Sequence, residues 1–187
     1  MKLHVAEGLT LPLEAATQTF LVVGKRGSGK SSTATRLAEQ MIRAKIPIAV
    51  LDPVDVWWGL KAGRDGKASG GVGIYVFGGD HADLPLEPTA GALMADVLVD
   101  HRVSAVFVLR VFSNRDKARF VADFAEQLFK RNREVLHLFA EEAHELMPQQ
   151  PYRGEEEMLG RMLRLQKLGR PSGIGLSCIT QRPPPCT

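Results

Sequence analysis

Residues 19–32 read TFLVVGKRGSGKSS, and this stretch decides the fold. Residues 20–23 are a short apolar run with β-branched side chains, which is typical of a buried strand. The next eight residues match G-x-x-x-x-G-K-[ST], the pattern of a phosphate-binding loop. Residues 32–43 then favour a helix with one apolar side. The pattern indicates a phosphate-binding loop only when a strand precedes it and a helix follows it, and the predicted elements here come in that order.

The spacing within the loop predicts its chemistry. Glycines at three positions leave room for backbone N–H groups to surround a phosphate, and the following helix points its positive end at the same anion. We expect Lys30 to reach the β- and γ-phosphates and the Ser31 hydroxyl to bind Mg²⁺. The residues predicted to bind ATP are Gly24, Lys25, Arg26, Gly27, Ser28, Gly29, Lys30, Ser31 and Ser32.

The composition is that of one ordinary globular domain, with 187 residues, 44% hydrophobic and 24% charged. The net charge of +3 is compatible with a nucleic-acid partner, but no long basic run argues for one. The two cysteines do not form a disulfide framework, and no apolar stretch reaches 18 residues. We therefore expect a cytoplasmic protein with no membrane contact.

The rest of the chain alternates between two apolar patterns. Short apolar runs predict strands at residues 46–51, 74–77, 105–109, 135–140 and 174–179. Helical periodicity predicts helices at residues 90–100, 116–131 and 155–168. Residues 1–18 have no clear pattern, and residues 61–73 favour a loop. The alternation predicts an α/β fold in which helices cover both faces of a mostly parallel sheet, with the site beyond the carboxyl ends of the strands.

Two acids directly follow the apolar run at residues 135–140. A phosphate-binding loop needs a carboxylate at the end of such a strand to hold the metal. We expect Glu141 to hold Mg²⁺ through water and Glu142 to activate the water that attacks the γ-phosphate. The alternative is that both acids are solvated residues at a helix start. Most phosphate-loop ATPases have Asp in place of Glu141, and the extra methylene moves the carboxylate by about 1.5 Å, so slow hydrolysis is one expected outcome.

Further polar residues are candidates near the same edge of the sheet. Gln181 follows a strand expected beside the phosphate-loop strand, where its amide would contact the γ-phosphate or the attacking water, unless it only caps that strand. Arg170, with Arg161 and Arg164, is a candidate arginine finger for a neighbouring subunit, although surface solvation explains these arginines nearly as well. His144 is either a coupling residue or an ordinary polar helix residue.

The remaining ring side chains have mainly structural interpretations. His137 lies inside an apolar run, which predicts a hydrogen-bonded core histidine. Trp57 and Trp58 are adjacent, and packing beneath the 61–73 loop is favoured over stacking on a base or a nucleic-acid strand.

Three segments together carry a family likeness. Residues 24–31, residues 135–145 (VLHLFAEEAHE) and the GRPSGIGL…TQRP region at residues 169–183 resemble the HerA/FtsK superfamily, especially the HerA-like ATP-binding proteins of bacteria and phages. The resemblance implies a RecA-like P-loop NTPase core with strand order 5-1-4-3-2. It also implies ATP hydrolysis in a homo-hexameric ring that moves double-stranded DNA. Members normally continue beyond the glutamine, so we expect residues 1–187 to be a single core that is incomplete at its C-terminus.

Three functions are compatible with these residues. The leading hypothesis is an ATP-hydrolysing motor core of the DNA-translocase or helicase type. The second is a nucleotide-binding switch with little turnover, which Glu141 and the early chain end favour. The third, a small-molecule or nucleotide kinase, requires an arginine-rich lid, and we find no convincing segment for one.

Overall fold

A computed structural model describes residues 2–62 and 71–182 of the chain. Residues 63–70 of the predicted loop, and residues 183–187 at the predicted early chain end, lie outside the described residues. The strands are β1 (Lys2–Ala6), β2 (Leu9–Pro12), β3 (Thr19–Val23), β4 (Ile48–Asp52), β5 (Tyr75–Phe77), β6 (Ala105–Val108), β7 (Leu136–Ala140) and β8 (Ile174–Thr180). The α-helices are α1 (Lys30–Arg43), α2 (Gly91–His101), α3 (Asn114–Arg131), α4 (Ala143–Leu146) and α5 (Glu156–Leu168).

Six strands form a parallel sheet in the order β3-β8-β7-β4-β6-β5. This confirms the predicted α/β class. The phosphate-loop strand β3 pairs with β8, as the position of Gln181 required. Numbered along the chain, the six strands run 1-6-5-2-4-3, which differs from the implied order 5-1-4-3-2. The order β3-β8-β7-β4 matches 1-4-3-2 when β5 and β6, which extend the sheet beyond β4, are not counted. Among the described strands, none pairs with the other side of β3.

Helices cover both faces of this sheet because the strand residues alternate between two apolar cores. One core contains Leu136, Leu138 and Ala140 of β7 together with apolar residues of α2, α3 and α5. The other contains Phe139 of β7 with residues of α1, β1 and the turn after β4. No helix within residues 2–62 and 71–182 is long and apolar enough to cross a membrane.

The N-terminal segment, for which the sequence has no clear pattern, forms an antiparallel hairpin of β1 and β2 followed by a 3₁₀ turn at Leu13–Thr17. His137 of β7 ties this turn to the sheet. Its Nδ1 lies 2.7 Å from the Ala16 carbonyl oxygen, which can only accept, so Nδ1 carries the proton. Its Nε2 then accepts from the Ser177 hydroxyl at 2.8 Å. The prediction of a hydrogen-bonded core histidine is confirmed.

The close approach at His137 depends on a glycine in the neighbouring strand. A Cβ at Gly175 would lie 2.0 Å from the Ala16 carbonyl oxygen and 2.5 Å from His137 Nδ1. Such distances are impossible for a real side chain, so only glycine lets the turn pack here. Burial of His137 lowers its pKa from 6.5 to about 4, because the charged imidazolium would have no water around it.

We expect this histidine to make stability depend on pH. Between about pH 6.5 and pH 4 the unfolded chain binds a proton at His137 that the folded chain does not, so the free energy of unfolding falls as pH falls through that window. The full loss is about 3.5 kcal/mol, from ~1.4 kcal/mol for each pH unit between the two pKa values. Urea unfolding at pH 7.5 and pH 5 should show about 2 kcal/mol of it, because pH 5 still lies above the folded pKa.

The variant His137→Asn should have a flatter pH dependence, since it keeps a donor for Ala16 but does not titrate. The matched control is His101→Asn, at the exposed C-terminal end of α2. Equal pH slopes for wild type and His137→Asn would show that His137 is not the responsible group.

Candidate functional site

The loop between β3 and α1 has the backbone geometry of an anion cradle. Gly29 directly precedes α1 with φ of +85°, a left-handed conformation that other residues rarely adopt. A Cβ at Gly24 would lie 2.4 Å from Ser28 Oγ, so a larger residue there would fill the space inside the loop. Residues 25–29 are exposed, which leaves the cradle open to a phosphate. The free N–H groups of the first turn of α1 face the same region.

Lys30 folds back over this loop. Its Nζ donates a hydrogen bond to the Lys25 carbonyl oxygen at 3.1 Å. The ammonium group is therefore held above the loop, where an entering phosphate would meet it. Lys25, Arg26 and Ser32 are exposed and lie at the mouth of the loop.

The acidic pair lies beside the phosphate loop. Ser31 Oγ donates to Glu141 Oε1 at 2.9 Å, which joins residues 110 positions apart in sequence. The contact forms because β3, β8 and β7 are parallel neighbours. The segments that follow them therefore all begin on the same side of the sheet, at the carboxyl ends of the strands. This is the juxtaposition that a nucleotide site requires between the loop and the metal-binding carboxylate.

The Glu141 carboxylate is buried, with only 4% of the residue exposed. Its second oxygen, Oε2, accepts a hydrogen bond from Trp57 Nε1 at 2.8 Å. Burial raises the pKa of Glu141, while the hydrogen bonds from Trp57 and Ser31 act in the opposite direction. Both carboxylate oxygens are thus held by uncharged donors.

Asp52, at the end of β4, organises the loop that carries Trp57. It is fully buried, and its two oxygens accept four backbone N–H groups at 2.7–2.9 Å. The donors are Val54, Asp55, Val56 and Trp57. Burial raises the pKa of Asp52, whereas these four hydrogen bonds lower it. The carboxylate therefore closes the loop tightly and places the Trp57 ring against β7.

Glu142 has a different environment from Glu141. Its backbone is left-handed, with φ of +42° and ψ of +54°, which is strained for a residue with a side chain. Gln181 Nε2 donates to Glu142 Oε1 at 3.3 Å. Glu142 Oε2 is buried without a hydrogen-bond partner among the described residues, although His144 Nδ1 lies 3.3 Å away. The structure thus brings Gln181 to Glu142 Oε1 and leaves Oε2 buried, with no hydrogen bond from any described residue.

The short helix α4, which begins directly after Glu142, is held from two sides. The Lys117 ammonium group of α3 lies 2.6 Å from Glu145 Oε2, and Lys117 is almost fully buried. His144 Nδ1 lies 3.2 Å from Thr180 Oγ1 at the end of β8. These contacts connect the segment after β7 to helix α3 and to the end of strand β8.

The donor set suits Mg²⁺ bound together with a nucleotide. Ser31 and Glu141 offer oxygen ligands side by side, and Mg²⁺ prefers one or two protein oxygens with the rest from phosphates and water. Within the described part of the chain, no cluster of three or more His, Cys, Asp or Glu side chains could hold a metal by itself. A metal at this place would therefore depend on the bound phosphates.

The candidate arginines lie elsewhere. Arg170 is exposed in the turn before β8, at the amino end of that strand. The chain's own phosphate loop follows the carboxyl end of the parallel strand β3, on the opposite side of the sheet. Arg161 pairs with Glu126 at 2.8 Å, and the Arg164 guanidinium lies 4.2 Å from the Phe129 ring centroid. The arginine-finger role of Arg170 in a neighbouring subunit stays a prediction.

Sequence reasoning missed Asp52, Lys117 and the role of Trp57. Asp52 carries the same signal as Glu141, an acid directly after an apolar strand, and could have been found by it. Packing was predicted for one or both tryptophans, and Trp57 is indeed buried. Trp58 is partly exposed and stacks on His81 with ring centroids 3.8 Å apart. No sequence pattern signals the contact from Trp57 to Glu141.

No family model matches the chain, and no curated protein matches it either. Among solved structures, a similar one is the pCW3 conjugation coupling protein TcpA in its monomer form with ATPγS, at 17% sequence identity and a TM-score of 0.48. The similarity covers 94% of this chain and 45% of the TcpA chain. This chain therefore spans less than half the length of that protein.

We expect Asp52→Asn to destabilise the protein by about 2 kcal/mol, because an amide NH₂ in place of either oxygen would face two backbone donors that now share an acceptor. Urea unfolding measures the effect, with Asp80→Asn as the exposed control. Equal stability of wild type and Asp52→Asn would contradict the role of Asp52 as the anchor of the loop.

Proposed function

We propose that this chain binds ATP with Mg²⁺ and hydrolyses it, as the core of a HerA/FtsK-type motor that moves along double-stranded DNA. The single observation that supports this most is the 2.9 Å hydrogen bond between Ser31 of the glycine-rich loop and Glu141 at the end of β7. A phosphate cradle and a buried carboxylate meet there, as nucleotide hydrolysis with a metal requires.

Each residue of the loop has a proposed part in binding. The backbone N–H groups of residues 24–32 surround the β-phosphate, and the dipole of α1 favours the negative charge. Lys30 exchanges its hydrogen bond with the Lys25 carbonyl for the β- and γ-phosphates. Ser31 and Glu141 would hold Mg²⁺, which, when bound, offsets negative charge on the phosphate oxygens.

Glu142 is the proposed general base. Its carboxylate, whose Oε2 has no hydrogen-bond partner within the described residues, accepts a proton from the water that attacks the γ-phosphorus. The bond from the γ-phosphorus to the bridging oxygen then breaks, and ADP and phosphate leave. Gln181 now donates to Glu142 Oε1. In the proposed cycle the γ-phosphate attracts this amide, so Gln181 reports the presence of ATP to the base.

A nucleotide-binding switch is the second candidate, and a specific observation favours it. Both oxygens of Glu141 are already hydrogen-bonded by protein donors, and this residue is one methylene longer than the usual Asp. Such a carboxylate is well suited to bind Mg-ATP and poorly suited to rearrange during turnover. DNA as a partner, the homo-hexamer and the role of Arg170 belong to the motor proposal alone.

We expect Lys30→Ala to reduce Mg-ATP affinity by at least about a hundredfold, because two or more charge-assisted hydrogen bonds to phosphate are lost. Isothermal titration calorimetry on the full chain measures this. Lys45→Ala, an exposed lysine just after α1, is the matched control and should bind as wild type does. Retained affinity in Lys30→Ala would remove the basis of the proposal.

We expect Glu142→Gln to bind Mg-ATP within about twofold of wild type and to lose at least about 100-fold in turnover, because an amide cannot accept the proton. Phosphate release is measured with and without double-stranded DNA. Glu7→Gln, exposed in the turn between β1 and β2, is the control.

The same assay separates the two candidate functions when it is combined with a mass measurement of the assembly. DNA-stimulated turnover by a hexamer supports the motor. Binding without turnover by a monomer supports the switch. Unchanged turnover in Glu142→Gln would place the base at another residue.

A further inference from the structure

Trp57 makes two kinds of contact in the site. It is only 2% exposed, and its ring packs against Phe139 with centroids 5.3 Å apart. Its indole Nε1–H donates to Glu141 Oε2 at 2.8 Å. Packing alone would be satisfied by any large aromatic ring, whereas the hydrogen bond to a buried carboxylate requires the indole nitrogen.

The position of Trp57 is fixed from its own backbone. Its N–H is one of the four that the Asp52 carboxylate accepts. Asp52 and Glu141 follow neighbouring strands, since β4 pairs with β7. Trp57 therefore bridges two buried carboxylates, with its backbone N–H on one and its side-chain N–H on the other.

This bridge matters because a glutamate has one more rotatable bond than an aspartate. Among the described residues, the Ser31 hydroxyl is the hydrogen-bond donor to Glu141 Oε1, and a Ser31 oxygen that binds a metal must direct a lone pair toward it. The indole can only donate, so its bond to Oε2 does not compete with the metal. Because Glu141 is only 4% exposed, losing this donor would leave a buried carboxylate oxygen without its hydrogen bond.

We propose that Trp57 is the positioning residue that holds the Glu141 carboxylate toward Ser31 and so prepares the magnesium side of the site. The inference rests on the proposed nucleotide binding and names a residue that supports it. Removing a residue that hydrogen-bonds to a metal ligand, without touching the metal itself, typically lowers metal affinity by roughly 10- to 100-fold.

The chain offers a matched pair of variants. Trp57→Phe keeps an aromatic ring beside Phe139 but removes the N–H. Trp58→Phe makes the same chemical change at the adjacent residue, whose ring stacks on His81 instead. A general effect of losing a tryptophan would appear in both variants, whereas an effect on Glu141 would appear only in the first.

The experiment is a titration of ADP binding on the full chain, first in EDTA and then at increasing Mg²⁺. Mg²⁺ should raise the ADP affinity of both wild type and Trp57→Phe. We expect the Mg²⁺ concentration that gives half of this rise to be about tenfold higher for Trp57→Phe than for wild type. Its affinity in EDTA should stay within about twofold of wild type, and Trp58→Phe should match wild type in both. A Trp57→Phe variant with wild-type Mg²⁺ dependence, or with equal losses in EDTA and Mg²⁺, would overturn the inference.

A second measurement does not require Trp57→Phe to fold. In Trp58→Phe, Trp57 is the sole tryptophan of the chain. Its fluorescence should change when Mg²⁺ is added to the ADP-bound protein, because the Glu141 carboxylate, which is hydrogen-bonded to the indole, would then bind the metal. An unchanged spectrum while Mg²⁺ demonstrably tightens ADP binding would also overturn the inference. A wild-type chain that binds no nucleotide would overturn the proposed function itself.

Discussion

A buried carboxylate must have its oxygens satisfied, and at Glu141 this requirement determines how the site is built. One oxygen takes the Ser31 hydroxyl, and the other takes the Trp57 indole. These donors come from the loop after β3 and the loop after β4, while Glu141 itself follows β7. Three segments that are distant in sequence therefore meet at one group. The hydrogen bond from Ser31 to that carboxylate joins the phosphate loop to the segment after β7.

Much of the fold could be predicted from the sequence because the apolar runs are long enough to be buried strands. The phosphate-loop pattern fixes where the site lies, and the parallel topology then requires other strand ends to arrive there. The placement of Ser31 near Glu141 follows from these two facts alone. The strand that precedes Gln181 was expected beside the phosphate-loop strand, and β8 pairs with β3 in the structure.

The parts that could not be predicted depend on contacts between side chains that no local pattern records. The hairpin of β1 and β2 has short strands with mixed burial, so its sequence lacks a clear period. The sequence predicted packing for Trp57 but not its hydrogen bond to Glu141. That hydrogen bond spans 84 positions, and the backbone N–H of Trp57 lies in the loop whose donors the Asp52 carboxylate accepts. The backbone strain at Glu142 likewise has no signature in the sequence.

The two acids differ in how firmly they are held, and this difference suits different tasks. The Phe139 ring lies between His137 and Trp57, with centroids 4.7 Å and 5.3 Å away, so buried rings connect the N-terminal turn to Glu141. Glu141 is hydrogen-bonded to Trp57, at one end of this row of rings. Glu142 instead contacts Gln181, which is exposed, and its other oxygen has no hydrogen-bond partner among the described residues. The firm hold on Glu141 suits the metal-binding role proposed for it, whereas the single side-chain donor that the described residues give Glu142 suits the proposed base, which must follow the attacking water.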